Sequence, residues 1–220
     1  MLPRRLEPEV MDDPAEAQAY EAMDHSEPNA AFCDRLIELG AHGRMLDIGT
    51  GPGHIPVMLA ERVPGARIVA VDYAAAMLEL ARDRVRGVQL AHQVHLLRGD
   101  AKALPVADHS FDTVFSNTIL HHLPEPVWLL REAARVLRPG GVLLIRDLMR
   151  PVNEAALDHL VSVHAVEADD AQRKMFRDSL YAALQPDELE QLAGQAGLTD
   201  IEVVVDTDRH ISLQRRRDVA

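Results

Sequence analysis

Leu46-Asp47-Ile48-Gly49-Thr50-Gly51-Pro52-Gly53 reads as the end of a buried strand running into a glycine turn. The strand opens at Arg44 and ends at Ile48. Glycines at 49, 51 and 53 remove the Cβ atoms that would hold a ligand away from the backbone. After the turn, Ile55, Met58, Leu59 and Val63 recur at helical spacing, so His54 to Val63 forms a helix whose free N-terminal amides face the turn. Strand, tight turn and helix in this order form a unit of an open parallel sheet.

Outward from that unit the alternation continues. Pro64-Gly65 stops the helix, and Ala66 to Val71 is a second strand ending at Asp72. Ala74 to Val85 places Met77, Leu78, Ala81 and Val85 on one helical face. Gln93 to Arg98 is the third strand and, after the turn-rich loop Gly99 to Ser110, Phe111 to Ser116 is the fourth. Pro124 opens a helix to Leu137, and Pro139-Gly140-Gly141 turns the chain into a fifth strand, Val142 to Leu148. Helices over Ala15 to Met23 and Asn29 to Leu39 precede the sheet, and Pro151 to Leu184 inserts one or two more. Pro186 to Ala196 is a helix ended by Gly197. Ile201 to Val205 and His210 to Gln214 then close as a hairpin through Asp206-Thr207-Asp208-Arg209. The expected fold is α/β, a doubly wound, seven-stranded, mostly parallel sheet with a C-terminal antiparallel hairpin and helical lids. A single domain suits 220 residues. Its parts are a helical cap over 1–40, a core over 44–148, lid helices over 151–184 and a closing helix and hairpin over 186–220.

With a net charge of −12, the mean field repels nucleic acid and favours small or neutral ligands. Cys33 stands alone, so no internal disulfide forms and a reducing, cytoplasmic setting is expected. Consistent with that, the N-terminus lacks a signal-peptide apolar stretch, and no run approaches the roughly 18 apolar residues of a membrane span. The expected partner is a small-molecule substrate, with a homodimer left open.

The glycine turn alone suits a nicotinamide dinucleotide, a flavin or S-adenosylmethionine. Asp72, 19 residues after Gly53 and at the end of the second strand, can accept both hydroxyls of a ribose. Two features disfavour a dinucleotide. The pattern GxGxxG needs glycine at 54, where His54 stands, and Asp47 beside the turn repels a pyrophosphate while suiting an ammonium.

Together these residues resemble the class I S-adenosylmethionine-dependent methyltransferase superfamily, over roughly Arg44 to Asp147. The resemblance implies a Rossmann-like sheet that binds S-adenosylmethionine and releases S-adenosylhomocysteine. It makes Asp72 the ribose-binding acid. Gly99-Asp100-Ala101 with Leu104-Pro105 becomes the adenine loop, with Asp100 accepting from the exocyclic amine and Met77 set against the ring. Phe111-Asp112-Thr113-Val114-Phe115-Ser116-Asn117 matches the fourth strand, and Leu137-Arg138-Pro139-Gly140-Gly141 the turn before the fifth. The cofactor set is then Tyr20, Asp47, Gly49, Thr50, Gly51, Gly53, Asp72, Tyr73, Met77, Asp100, Ala101 and Asn117. Tyr20 and Met23 would close over the cofactor from the cap. The segment His121-His122-Leu123 resembles ubiquinone and menaquinone methyltransferases. The stretches Leu6-Glu7-Pro8-Glu9-Val10-Met11-Asp12 and Tyr20-Glu21-Ala22-Met23-Asp24 are similar to uncharacterised bacterial members.

An acceptor belongs beyond the carboxyl ends of strands four to six. That places Asn117, Thr118, His121, His122, Asp147, Arg150, Arg209 and His210 there, with Arg177, Ser179 and Tyr181 brought by the inserted helices. Arg150, Arg177, Arg209 and His210 are expected to hold an anionic group of the acceptor. Asp147 and His122 are the candidate bases. No metal is expected, because adjacent residues on a helix point about 100° apart and no third ligand is spaced near His121-His122. Two other functions share the cofactor motifs: different chemistry on the sulfonium, and a non-catalytic regulatory module.

Overall fold

The computed structural model describes residues 2–7, 13–21, 26–166 and 168–217. Met23, expected over the cofactor, lies outside the described residues, as does the segment 8–12. Seven strands form one sheet in the order β3-β2-β1-β4-β5-β7-β6. They are β1 (Arg44–Ile48), β2 (Arg67–Asp72), β3 (Val94–Arg98), β4 (Phe111–Asn117), β5 (Leu137–Leu148), β6 (Glu202–Val205) and β7 (His210–Arg215). β3, β2, β1, β4 and β5 run parallel. β7 is antiparallel to both β5 and β6, which gives the expected closing hairpin.

Helices cover both faces. α1 (Pro14–Glu21), α2 (Ser26–Glu38), α3 (His54–Arg62) and α4 (Ala75–Gly87) precede β3. α5 (Val127–Val136), α6 (Glu154–His164), α7 (Asp170–Ala182) and α8 (Pro186–Gln195) follow β4. The period of two along β1 divides the core. Leu46 and Ile48 join Leu129, Leu130 and Ala133 of α5 and Leu189 of α8, whereas Met45 joins Phe32 and Leu36 of α2 and Leu59 of α3. Asp47 shares Met45's parity and is buried with it, a carboxylate on a core face. Strand order reverses between β1 and β4, and a crevice opens there beyond the strands' carboxyl ends.

Several boundaries shift from expectation, two of them for a plain physical reason. β5 starts at Leu137, not Val142, taking in Pro139-Gly140-Gly141. β7 pairs with β5 only from Leu143, so the missing N–H of Pro139 costs no bond on that side. α5 starts at Val127, not Pro124, because Pro126 disfavours a helical Glu125 and itself stands as the N-cap. Two elements were not foreseen. Leu120–His122 form a 3-10 turn, and residues 2–7 run as a strap along the end of α7. Arg4 fixes that strap through the carbonyls of Ala182 (2.6 Å) and Leu123 (2.9 Å), and Arg5 N–H donates to Tyr181 O (3.1 Å). Among the described residues no helix is long and apolar enough to cross a membrane.

Candidate active site

The glycine turn is held by backbone. Gly49 and Thr50 N–H both donate to Val71 O of β2, at 2.8 and 2.9 Å. Gly49 has φ +76°, and a Cβ there would fall 2.4 Å from Ile119 Cδ1, so glycine is required on two counts. Gly51 has φ +54° with nothing within 4 Å of its Cβ direction, since it faces the crevice. Asp72 braces the turn: Oδ2 accepts Gly51 N–H at 2.8 Å and Oδ1 accepts Ala74 N–H at 2.9 Å.

Asp47 is buried, and its Oδ2 makes no hydrogen bond; neither does Thr50 Oγ1 beside it. Burial pushes the Asp47 carboxyl up to about 7, against the neighbouring Thr50 hydroxyl and with the charge of Asp72 adding to it. A buried acceptor without a donor is costly, so this corner suits a cationic donor.

Every expected cofactor residue except Gly53 lines the cavity; Gly53 lies behind it, where a Cβ would stand 3.1 Å from Ala81 Cβ of α4. Met77 is buried against Ala17 and Ala74, and Tyr73 is exposed. Asp100 Oδ1 accepts Lys102 N–H at 2.8 Å and lies 3.2 Å from Lys102 Nζ. Tyr20 covers the opening from α1, its burial raising the phenol above its usual range against a bond to Thr118. Glu21 anchors that helix by bridging His54 Nε2 (2.9 Å) and Arg84. The sequence reading passed over several lining residues. Asn29, from α2, is one; Thr118, expected on the acceptor side, lines the same cavity with φ +57°, a conformation no sequence signal marks. Behind them Arg146 joins the two layers, donating to Asn117 Oδ1 (3.0 Å) and Pro28 O (2.9 Å).

A histidine cluster meets the cavity at His122. His121 is buried, with Nδ1 2.5 Å from Asp147 Oδ1 and its N–H donating to Asp147 Oδ2 at 3.2 Å. The two imidazoles stack at 4.1 Å. Glu7 from the strap sets Oε1 3.3 Å from His121 Nε2 and 3.0 Å from His122 Nδ1, while Ser179 donates to its carboxylate. His121 is raised in spite of its burial, by Asp147 and Glu7. Asp147 is lowered in spite of its own, by the His121 charge and hydrogen bond. The sequence expectation looked for a third ligand spaced near the histidine pair; Glu7, remote in sequence, is brought within 4.8 Å of both.

The remaining expected acceptor residues do not line the cavity. Arg150 is buried on Ala183 O (2.7 Å) and Glu188 (2.6 Å). Arg177 pairs with Glu154 and Asp158 on the outer face of α6 and α7, and Arg209 stands between His164 and Asp208. His210 is bonded to Thr207, and burial with the charges of Arg146 and Arg209 pushes it down to about 4, so it carries no charge near neutrality. Tyr181 donates to Glu154 and lies under the Arg5 guanidinium. An anion site made from these four basic groups is not assembled, because each already has partners.

Residues 46–145 match the family described as a methyltransferase domain. The 27-O-demethylrifamycin SV methyltransferase of Amycolatopsis mediterranei is 31% identical over 175 residues, 78% of this chain and 61% of that protein. The matched core and this relative support the class I S-adenosylmethionine-dependent methyltransferase superfamily. A demethylmenaquinone methyltransferase of Lactobacillus johnsonii is 36% identical over 109 residues, 49% of this chain and 45% of its own length, in keeping with the menaquinone-type resemblance. A phosphoethanolamine N-methyltransferase of Haemonchus contortus, solved with phosphomonomethylethanolamine and S-adenosylhomocysteine, superposes with a TM-score of 0.62. It is 27% identical, over 82% of this chain and 39% of that one. The chain spans about half the length of the curated relatives it matches. The superfamily's cofactor is S-adenosylmethionine, and the orphaned Asp47 carboxylate fits its ammonium.

Proposed function

We propose that this domain binds S-adenosylmethionine in the cavity and methylates a small molecule bearing a hydroxyl. The observation that carries the reading is the buried, unpaired Asp47 Oδ2 beside a glycine turn braced by Asp72. Asp47 holds the ammonium, and Gly49, Thr50 and Gly51 offer close backbone approach. Asp72 accepts from the ribose while keeping its bonds to Gly51 and Ala74, and Tyr73, Met77, Asp100 and Ala101 enclose the adenine. Gly53 acts indirectly, by letting α3 pack on α4. Asn117 closes the inner end of the pocket.

When bound, the sulfonium supplies a methyl group already attached to a good leaving group. The protein's share is positioning and proton handling. Tyr20 and Asn29 exclude water from above. The acceptor's proton is drawn towards the cluster of His122, His121, Glu7 and Asp147, with His122 at the cavity wall and Asp147 orienting His121 behind it. Ser179 orients Glu7. The rifamycin relative's name places its methyl on an oxygen, which supports a hydroxyl acceptor here. With Arg150, Arg177, Arg209 and His210 engaged elsewhere, the acceptor is read as lacking an anionic group held by them.

Calorimetry with S-adenosylmethionine and a metabolite screen with methyl-labelled cofactor test this. Binding that Asp72→Ala abolishes, and S-adenosylhomocysteine formed in step with one labelled product, support it. Methylthioadenosine as the product, or tight binding without turnover on any pool, overturns it.

A further inference from the structure

We propose that Glu7, His121 and His122 hold one divalent transition-metal cation of the zinc class, with its open coordination position turned towards the cavity. The donor set is two imidazole nitrogens and a carboxylate oxygen, all within 4.8 Å of one another. The two carboxylate–imidazole separations match a shared cation. Ligands about 2.0–2.1 Å from a tetrahedral ion lie about 3.3 Å apart. Glu7 Oε1 lies 3.3 Å from His121 Nε2 and 3.0 Å from His122 Nδ1.

The orientation of each ligand is set from outside the trio. Asp147 takes the Nδ1 side of His121, which leaves Nε2 turned towards the Glu7 carboxylate. Nε2 is thus the atom that His121 presents to Glu7, and a cation between them takes the place of a proton. His122 Nδ1 is buried 3.0 Å from the same Glu7 oxygen, so both imidazoles converge on it. Carboxylate, histidine and ion in a row is the usual outer-shell arrangement of bound zinc. Ser179 completes that shell by donating to Glu7 at 3.2 Å.

Charge points the same way. Glu7 and Asp147 bring two carboxylates to a site whose neighbouring fixed cation is Arg4, bonded to His121 O at 3.3 Å. The chain's one thiol, Cys33, is buried elsewhere and offers no competing thiolate. Three protein ligands and one open position is the pattern of catalytic rather than structural zinc. His122 lines the cavity, so the fourth ligand comes from there. A hydroxyl in that position becomes far more acidic, as zinc-bound water does, and in the zinc-loaded protein its proton leaves to solvent in place of the transfer to the histidine cluster described above. The role in catalysis rests on the function proposed above; the binding of the ion does not.

The test titrates Zn²⁺ into the chelator-treated full chain by calorimetry, without S-adenosylmethionine, and repeats it for Glu7→Gln and His122→Ala. One ion per chain is expected, at least tenfold weaker in each variant, with Co²⁺ giving the visible absorption of a four-coordinate site. Binding of S-adenosylmethionine, equal in all three proteins, confirms that the variants are folded. Zinc affinity that is absent, or equal in wild type and variants, overturns the site. Loss of cofactor binding in the wild type would sink the proposed function and leave the metal result standing.

Discussion

On the glycine-turn side of the cavity, the geometry rests on backbone. Val71 O accepts from Gly49 and Thr50, and Asp72 accepts from Gly51 and Ala74, all within one strand–turn–helix unit and its neighbouring strand. On the histidine side it rests on side chains from four separate elements. Glu7 comes from the strap, His121 and His122 from the 3-10 turn, Asp147 from β5 and Ser179 from α7. A backbone-built site is set by the sheet and survives most side-chain changes. A side-chain-built site depends on every member, because each buried charge is tolerated only through the others.

The largest effect is therefore expected where one side chain carries the backbone side. Asp72→Ala removes two hydrogen bonds to a carboxylate, each worth about 1.5–3 kcal/mol, together with the proposed ribose contact. S-adenosylmethionine affinity should fall by at least about a hundredfold, at roughly 1.4 kcal/mol per decade. Calorimetry reads it, and an unchanged Kd removes Asp72 from the site.

The histidine side should respond in the opposite currency. Glu7→Gln and Asp147→Asn are expected to lower kcat by about 10²–10⁴, the usual share of proton handling, with cofactor Kd unchanged. Because both act on His121, the double variant should cost little more than the worse single one. Additive losses would show that the cluster is not one unit.

A smaller effect comes from Asp47, whose carboxyl burial raises to about 7. A carboxyl raised above its unfolded value of about 3.9 costs the empty protein stability as pH rises from there to about 7. The ammonium binds the ionised form. Affinity should then drop about tenfold per unit of pH below 7 and level off above it. Asp47→Asn should bind weakly and flatten that profile. A wild-type profile already flat between pH 5.5 and 7 refutes the pairing.

The same contrast explains what could be read from the chain. Gly49, Gly51, Asp72 and Asp100 stand at fixed offsets from strand ends, so the hydrophobic pattern that places the strands also places them. Asp47 was legible for its charge, although its lack of a partner was not. Glu7 stood in a stretch read only as resembling other members, because its chemical significance depends on a strap crossing from α7 to the 3-10 turn, and Arg4 secures that crossing through main-chain carbonyls. The arginines misled in the converse way. Their position beyond strand ends was real, but local sequence does not show that acids on adjoining turns already hold them.

Arg177 and Arg209 give the smallest expected effect and the sharpest check on that account. Each is tied to acids at the surface, Arg177 to Glu154 and Asp158 and Arg209 to Asp208. Neither lines the cavity. Exposed pairs contribute about 0–1 kcal/mol, so Arg177→Ala and Arg209→Ala should shift Tm by no more than a few degrees. Acceptor KM should stay within twofold of wild type once an acceptor is known. An increase of tenfold or more in KM for either variant, with kcat and cofactor Kd unchanged, would mean that α7 or the β6–β7 turn carries its guanidinium group inward when the acceptor binds. The acceptor would then carry the anionic group that the described geometry leaves without a cationic partner.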